Sequence, residues 1–377
     1  DHQGEVQTLR EADLQIHWVI NYRGNGIDPK GTSRNEIGEL ELNGPIMKSW
    51  YERYKRRCLA FMKYYSSPGK ELIRHYICGN EPDKKDLHTG LPGRPDVAAR
   101  LTRAMYEAAQ EVNPAGIVVE SSPVAQPDTD YLRDMIVKYG VYKHCDVIGT
   151  HVYGNQTLDH RLGAPWRYLA EAGAEKPVAC SEAGVSVGWT PEGMDGRAWQ
   201  TDFMAQWYAK MKRMGYSYGI LFTHDEDHHP DWAKLRNKGD KIQPNWDFID
   251  NVLTEPTGLV NGGFEAPNDR RALWVPDYDI DIPHGTPQAF TWQTDANPAE
   301  GRFCARLNPG EVEGAVAAYQ VIDSGIEPGT PVTVSGYARA QGATAQISVN
   351  GYQPSNGDAC TLSHEITSSD WTGVKLS

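Results

Sequence analysis

The chain has 377 residues, with 37 Lys+Arg against 50 Asp+Glu, a formal charge of −13. That length leads us to expect two domains and a sizeable core, while the charge argues against a nucleic-acid partner, which needs a basic face. No stretch approaches ~18 consecutive apolar residues, so no membrane span is expected.

Aromatic usage is skewed, with 11 Trp and 19 Tyr against 7 Phe, so most rings carry a polar edge. Such rings suit either a large core or the stacking of hydroxylated ligands. Six cysteines (Cys58, Cys78, Cys145, Cys180, Cys304, Cys360) are too sparse for a disulfide scaffold, and none forms a CxxC. Cys78, Cys145 and Cys180 sit in or beside apolar runs and are expected as buried thiols; Cys304 and Cys360 fall in the second half and are candidates to pair. The opening Asp1-His2-Gln3-Gly4 reads as a processed or trimmed start.

In chain order, Leu14–Tyr22 predicts a strand and Ser49–Tyr65 a helix. Ile73–Cys78 predicts a second strand that runs into Gly79-Asn80-Glu81-Pro82. Asp96 is the expected N-cap of a helix whose Val97, Leu101, Met105, Ala108 and Val112 fall on one stripe, stopped by Asn113-Pro114. Strands are expected at Ile117–Ser121, Asp146–Val152, Pro177–Glu182 and Tyr218–Thr223. Helices are expected near Tyr131–Tyr139, Pro165–Ala172, Arg197–Met214 and Trp246–Leu253. Six strand-then-helix units in succession predict an α/β fold with a parallel sheet. No glycine-rich phosphate turn follows an early strand, and polar residues sit at the strand ends. A TIM (β/α)8 barrel is therefore expected over residues 1–253, with its first two units lying before residue 1. After the linker Thr254–Gly258 the helical periods stop. Short alternating segments (Ala289–Trp292, Ala317–Ile322, Val332–Tyr337, Ala345–Val349) predict an all-β jelly-roll sandwich over residues 258–377.

Three strand ends carry ionisable groups: Asn80-Glu81-Pro82, Thr150-His151-Val152-Tyr153, and Cys180-Ser181-Glu182. Barrel active sites are built at that edge. The Pro directly after Glu81 restrains the exit from the strand and leaves the carboxylate facing the mouth. A solvated loop Glu is the structural alternative at either position, and a hydrogen-bonded structural histidine is the alternative at His151.

With Asn-Glu-Pro on one strand and a strand-end Glu three units later, residues 14 to about 225 resemble the clan A retaining glycoside hydrolases. Numbering the visible strands three to eight puts Glu81 on strand four and Glu182 on strand seven. The resemblance implies Glu81 as acid/base, its pKa raised by its anionic neighbour, and Glu182 as nucleophile, kept ionised by hydrogen-bond donors. It also implies Asn80 as a contact of the sugar 2-hydroxyl, with His151 or Tyr153 steadying Glu182 or the sugar. Where the clan commonly ends strand eight with a Trp, this chain has Phe222-Thr223-His224. Trp189 and Trp232 are then the candidate sugar platforms. His224, in the run His224–His229, is either part of a polar substrate-facing loop or of a metal site. Trp18 either lines a further subsite or packs in the core.

The second half resembles the jelly-roll carbohydrate-binding modules appended to many glycosidases, which implies Glu265 as a candidate ligand of a structural calcium. The expected function is retaining hydrolysis of a β-linked poly- or oligosaccharide, with no cofactor for catalysis, by a secreted or cell-surface protein. A partner fragment or upstream segment is expected to complete the barrel. The alternative is a non-catalytic carbohydrate-binding or structural glycoprotein that keeps the barrel.

Overall fold

The computed structural model describes residues 3–11, 14–22, 40–84, 91, 93–154, 158–186, 200, 203–204, 207–208, 210–212, 214–222, 275–278, 290–293, 304–307, 316–319, 333–342, 344–353 and 357–377. The chain divides into two compact units. The first comprises Asp1–Tyr153, Asp159–Ala183 and Tyr216–Ile220; the second comprises Gly154–Leu158, Gly184–Gly215 and Leu221–Ser377. The expected boundary at Thr254–Gly258 lies outside the described residues.

Six strands appear in the expected order: β1 (His17–Ile20), β2 (His75–Cys78), β3 (Val118–Glu120), β4 (Ile148–Tyr153), β5 (Val178–Gly184) and β6 (Tyr218–Leu221). β2 pairs in parallel with β1 and β3, giving one sheet in the order β1-β2-β3; the other has the order β4-β5-β6. Parallel bridges Glu120↔Val147 and Val124↔Thr150 join β3 and its following loop to the β4 region. Spatial order therefore follows chain order, as expected for successive strand–helix units. The arrangement is strongly curled: the Tyr218 ring on β6 lies 4.6 Å from the His17 ring on β1 and 5.0 Å from that of His75 on β2. Closing the expected eight-stranded ring takes two strands more than these six.

The helix Pro45–Tyr65 starts at a proline, four residues before the sequence pattern placed it, since Pro is pre-organised for a first helical turn. It buries Met47, Trp50, Tyr54, Cys58, Met62 and Tyr65, a stripe at steps of three and four. Burying such side chains contributes roughly 1.5–3 kcal/mol each. Two of them also satisfy backbone beyond the stripe: Tyr54 Oη donates to Ile20 O at 2.6 Å and Trp50 Nε1 to Tyr22 O at 2.8 Å.

The helix Pro95–Val112 buries Val97, Leu101, Met105 and Ala108 as expected, leaves Val112 half-buried, and is capped by Asn113. Its N-cap, however, is Arg94; Asp96 lies inside the first turn and pairs with the Arg94 guanidinium at 2.8 and 2.9 Å. The segment after β3 combines Asp130–Arg133 with a wider π-helical turn, Asp134–Lys138, before Gly140 at φ 62°. The helix expected from Pro165 instead runs Leu158–Glu171 with Pro165 inside it, so that residue forgoes an internal hydrogen bond. Cys58, Cys78, Cys145 and Cys180 are free, buried thiols.

In the second unit, the helical residues between 200 and 212 include buried Phe203, Met204, Trp207 and Met211, and Met214 just beyond is buried as well. Further along, every described strand pairing is antiparallel. Val275–Tyr278 pairs with Val316–Tyr319, Phe290–Gln293 with Cys304–Leu307, Val334–Ala338 with Thr372–Leu376, and Ala345–Gln353 with Gly357–Ile366. Ala340, Ile366, Val374 and Leu376 form a small core, with Ala345, Ile347 and Val349 packed against it. The side chains of Cys304 and Cys360 lie outside the described residues.

Candidate active site

Glu81 sits three residues past β2, and its placement depends on a backbone that few residues adopt. Gly79 has φ +67° and Glu81 φ +41°, both in the left-handed region. At Gly79 a Cβ would lie 1.8 Å from Tyr22 Cε1, so only glycine lets the chain pass that buried ring. The turn is pinned to the loop after β3. Glu81 N donates to Pro123 O at 3.0 Å, while the Asp83 carboxylate accepts from Ala125 N at 2.9 Å and Gln126 N at 3.1 Å. Burial, and secondarily the charge of Glu81, pushes the Asp83 carboxyl up, opposed by those backbone donors. Asn80 is half-buried between the two left-handed residues.

β4 brings the second component. His151 is buried, with its N–H donating to Val124 O at 2.9 Å. Its Nδ1 lies 3.1 Å from Glu81 Oε1 and 3.8 Å from Glu182 Oε2. Tyr153, two residues on along β4, has its ring perpendicular to that of His151 at 6.3 Å, and its carbonyl accepts from Arg161.

Glu182 arrives on β5. One donor atom from each of Glu81, His151 and Glu182 lies within 4.8 Å of the other two. Two carboxylates, 101 positions apart in the numbering, thus meet across one imidazole. Burial first, then the charge of Glu81, pushes the Glu182 carboxyl above the ordinary carboxylate range, and His151 pulls it back. The expectation that hydrogen-bond donors keep Glu182 ionised is thus corrected: burial dominates there. The three donors could also surround a divalent ion, but His151 Nδ1 is already within hydrogen-bond distance of Glu81.

Of the other expected site residues, Trp18 does not join this group. Its ring stacks on Tyr65 at 5.7 Å and lies 6.0 Å from Phe61, both on the Pro45–Tyr65 helix. Strand alternation sends His17 and Trp18 to opposite faces, which gives Trp18 to the helix and removes it from the mouth. Trp189, His224, Trp232 and Glu265 lie outside the described residues.

Sequence reasoning passed over a second polar group, formed by the first residues of β1 and β2 and the last residue of β3. His17, His75 and Glu120 bring one donor atom each within 4.8 Å of the others, and Tyr218 Oη reaches both His75 Nε2, at 2.6 Å, and Glu120 Oε2. Burial and the charge of His75 pull the His17 pKa down to about 4, with Glu120 acting the other way. The available signal was a histidine inside each of two apolar strands.

No protein-family model matches the chain, and no curated protein does either. Among solved structures, it is similar to a monomeric β-xylosidase from Caulobacter crescentus CB15 at 11% identity, covering 66% of this chain and 55% of the xylosidase, with a TM-score of 0.49. A glucosidase from Croceicoccus marinus matches at 13% identity over 98% of this chain and 88% of that one, TM-score 0.48. A psychrophilic family 10 endo-β-1,4-xylanase matches at 12% identity over 66% and 80%, TM-score 0.44. The chain thus spans about half the length of the xylosidase.

Proposed function

We propose that this protein is a retaining glycoside hydrolase acting on a β-linked poly- or oligosaccharide. The observation that carries the reading is the convergence of Glu81 and Glu182 on His151, with their nearest donor atoms within 4.8 Å. In the first step Glu81 gives its proton to the glycosidic oxygen as that bond to the anomeric carbon breaks. A Glu182 oxygen forms the new bond to the same carbon, giving a covalent glycosyl-enzyme. In the second step Glu81 takes a proton from water, the resulting hydroxide attacks the anomeric carbon, and Glu182 leaves as a carboxylate. No cofactor enters either step. His151 holds both carboxylates in register, Asn80 contacts the 2-hydroxyl, and Tyr153 backs the imidazole.

The test uses the full chain with aryl β-glycosides and neutral β-linked polysaccharides. Glu81→Gln is expected to lower kcat about 10²–10⁴-fold, the usual worth of a positioned acid/base. Glu182→Gln is expected to abolish turnover, and a 2-fluoro glycoside to label Glu182 covalently. Wild-type rates in both variants would overturn the proposal. Proton NMR of the first-formed anomer reads the stereochemistry, and an inverted product would remove Glu182 as nucleophile. Sugar binding with no turnover on any substrate would favour a non-catalytic carbohydrate-binding role.

A further inference from the structure

The geometry points to a second functional centre, a binding site for a divalent transition metal built from His17 and His75, the first residues of β1 and β2, and Glu120, the last residue of β3. β2 shows how the two centres are separated: His75 is its first residue, and Glu81 lies beyond its last. Each proposed ligand comes from a different strand, β1, β2 or β3, and their donor atoms lie within 4.8 Å of one another.

Two features favour a cation here. Glu120 is fully buried, and its Oε1 has no hydrogen-bond partner. His17 Nδ1 is likewise buried without a partner. A buried carboxylate oxygen and a buried imidazole nitrogen left unsatisfied each carry a desolvation cost that one metal ion would remove. Gly149 is what admits the buried carboxylate, since a Cβ there would come within 2.2 Å of Glu120 Oε1.

The donor chemistry sets the class of ion. Two imidazoles and one carboxylate suit Zn²⁺ and its first-row neighbours better than Ca²⁺ or Mg²⁺, which prefer all-oxygen ligands. His75 Nε2 is 3.4 Å from Glu120 Oε2, close to the ligand-to-ligand separation around such an ion, and an ion that takes both atoms displaces the Tyr218 hydroxyl from His75 Nε2. Tyr218 Oη then supplies the outer hydrogen bond that orients the Glu120 carboxylate. The site would staple the first three strands together and tie β6 to them through Tyr218. It is independent of the glycosidase reading, since none of its residues belongs to the Glu81–His151–Glu182 group.

The experiment titrates the full chain, stripped with a chelator, with Co²⁺ as a spectroscopic probe and Zn²⁺ as competitor. One Co²⁺ per chain is expected, giving visible ligand-field bands that Zn²⁺ removes and a melting temperature that rises with either ion. His17→Asn and Glu120→Gln are expected to lose the bands, and Tyr218→Phe to weaken binding about 10–100-fold. Glu182→Gln is expected to retain the full stoichiometry. Circular dichroism checks each variant's fold; if Glu120→Gln does not fold, the partly exposed His17 position decides. Absence of stoichiometric binding in the wild type, or bands that survive His17→Asn, would overturn the site. Bands lost in Glu182→Gln instead would place the ion at the other cluster and overturn it too.

Discussion

At the residue scale the candidate site is an electrostatic compromise. Glu81, His151 and Glu182 are largely buried, with side-chain exposures of 10%, 2% and 23%. Removing charges from water raises the cost of ionising a carboxylate, and a second anion raises it again. His151 is the group that opposes both effects at Glu182. His151→Asn is therefore expected to move the acidic limb of the kcat/KM profile to higher pH. Retention of the wild-type limb would show that the imidazole does not couple to Glu182. The same substitution should weaken kcat more than KM, because in the proposed mechanism the imidazole acts on the two carboxylates that carry the chemistry.

At the element scale, the turn after β2 places Glu81, the acid/base of the proposed reaction. Its left-handed residues pass the Tyr22 ring at Gly79, and the Asp83 contacts to Ala125 and Gln126 tie it to the loop after β3. Gly79→Ala adds a methyl into the Tyr22 ring and a side chain at φ +67°. Overpacking costs about 1–3 kcal/mol and the left-handed backbone about 1–2, so a loss of roughly 2–5 kcal/mol is expected in urea unfolding. Asp83→Asn keeps the shape but weakens two charge-assisted acceptor interactions. It should cost roughly 1–3 kcal/mol and lower kcat through the position of Glu81. If Asp83→Asn matched the wild type in both stability and kcat, this loop contact would have no role in aiming the acid.

At the scale of the whole molecule, the cost of the site is read in stability against pH. The folded state holds the Glu182 proton to higher pH than the unfolded chain does, since burial raises that carboxyl. Over that window the unfolded state binds fewer protons, so stability falls as pH rises from the ordinary carboxylate range through the raised value. Above it the loss is complete and constant. Glu182→Gln removes this term. Its melting temperature should match the wild type near pH 4 and exceed it at pH 7, with the gap opening between. A gap of the opposite sign, with the wild type the more stable at pH 7 and the two matching in acid, would mean that Glu182 is held ionised by the fold. With a charge of −13, the molecule is also expected to act on neutral polysaccharides in preference to sulfated or uronate-rich ones, measured by initial rates at low salt.

Local signals in the sequence determined a great deal. Periods of two and of three-to-four residues placed six strands and the faces of the main helices, because burial writes that alternation directly into residue order. Strand-end position singled out Glu81, His151 and Glu182, because strands that run in parallel deliver their ends to one edge. Helix starts were less legible at Pro45, Pro95 and Leu158, where proline chemistry and tertiary contacts outweighed the pattern. Only the tertiary structure decided the rest. It gave Trp18 to the helix face, made burial the main influence on Glu182, and assembled His17, His75, Glu120 and Tyr218 from four separate strands. The physical reason is the curl of the sheet: which inward side chains meet across its interior depends on strand position in space, and neighbouring residues in the chain carry no record of it.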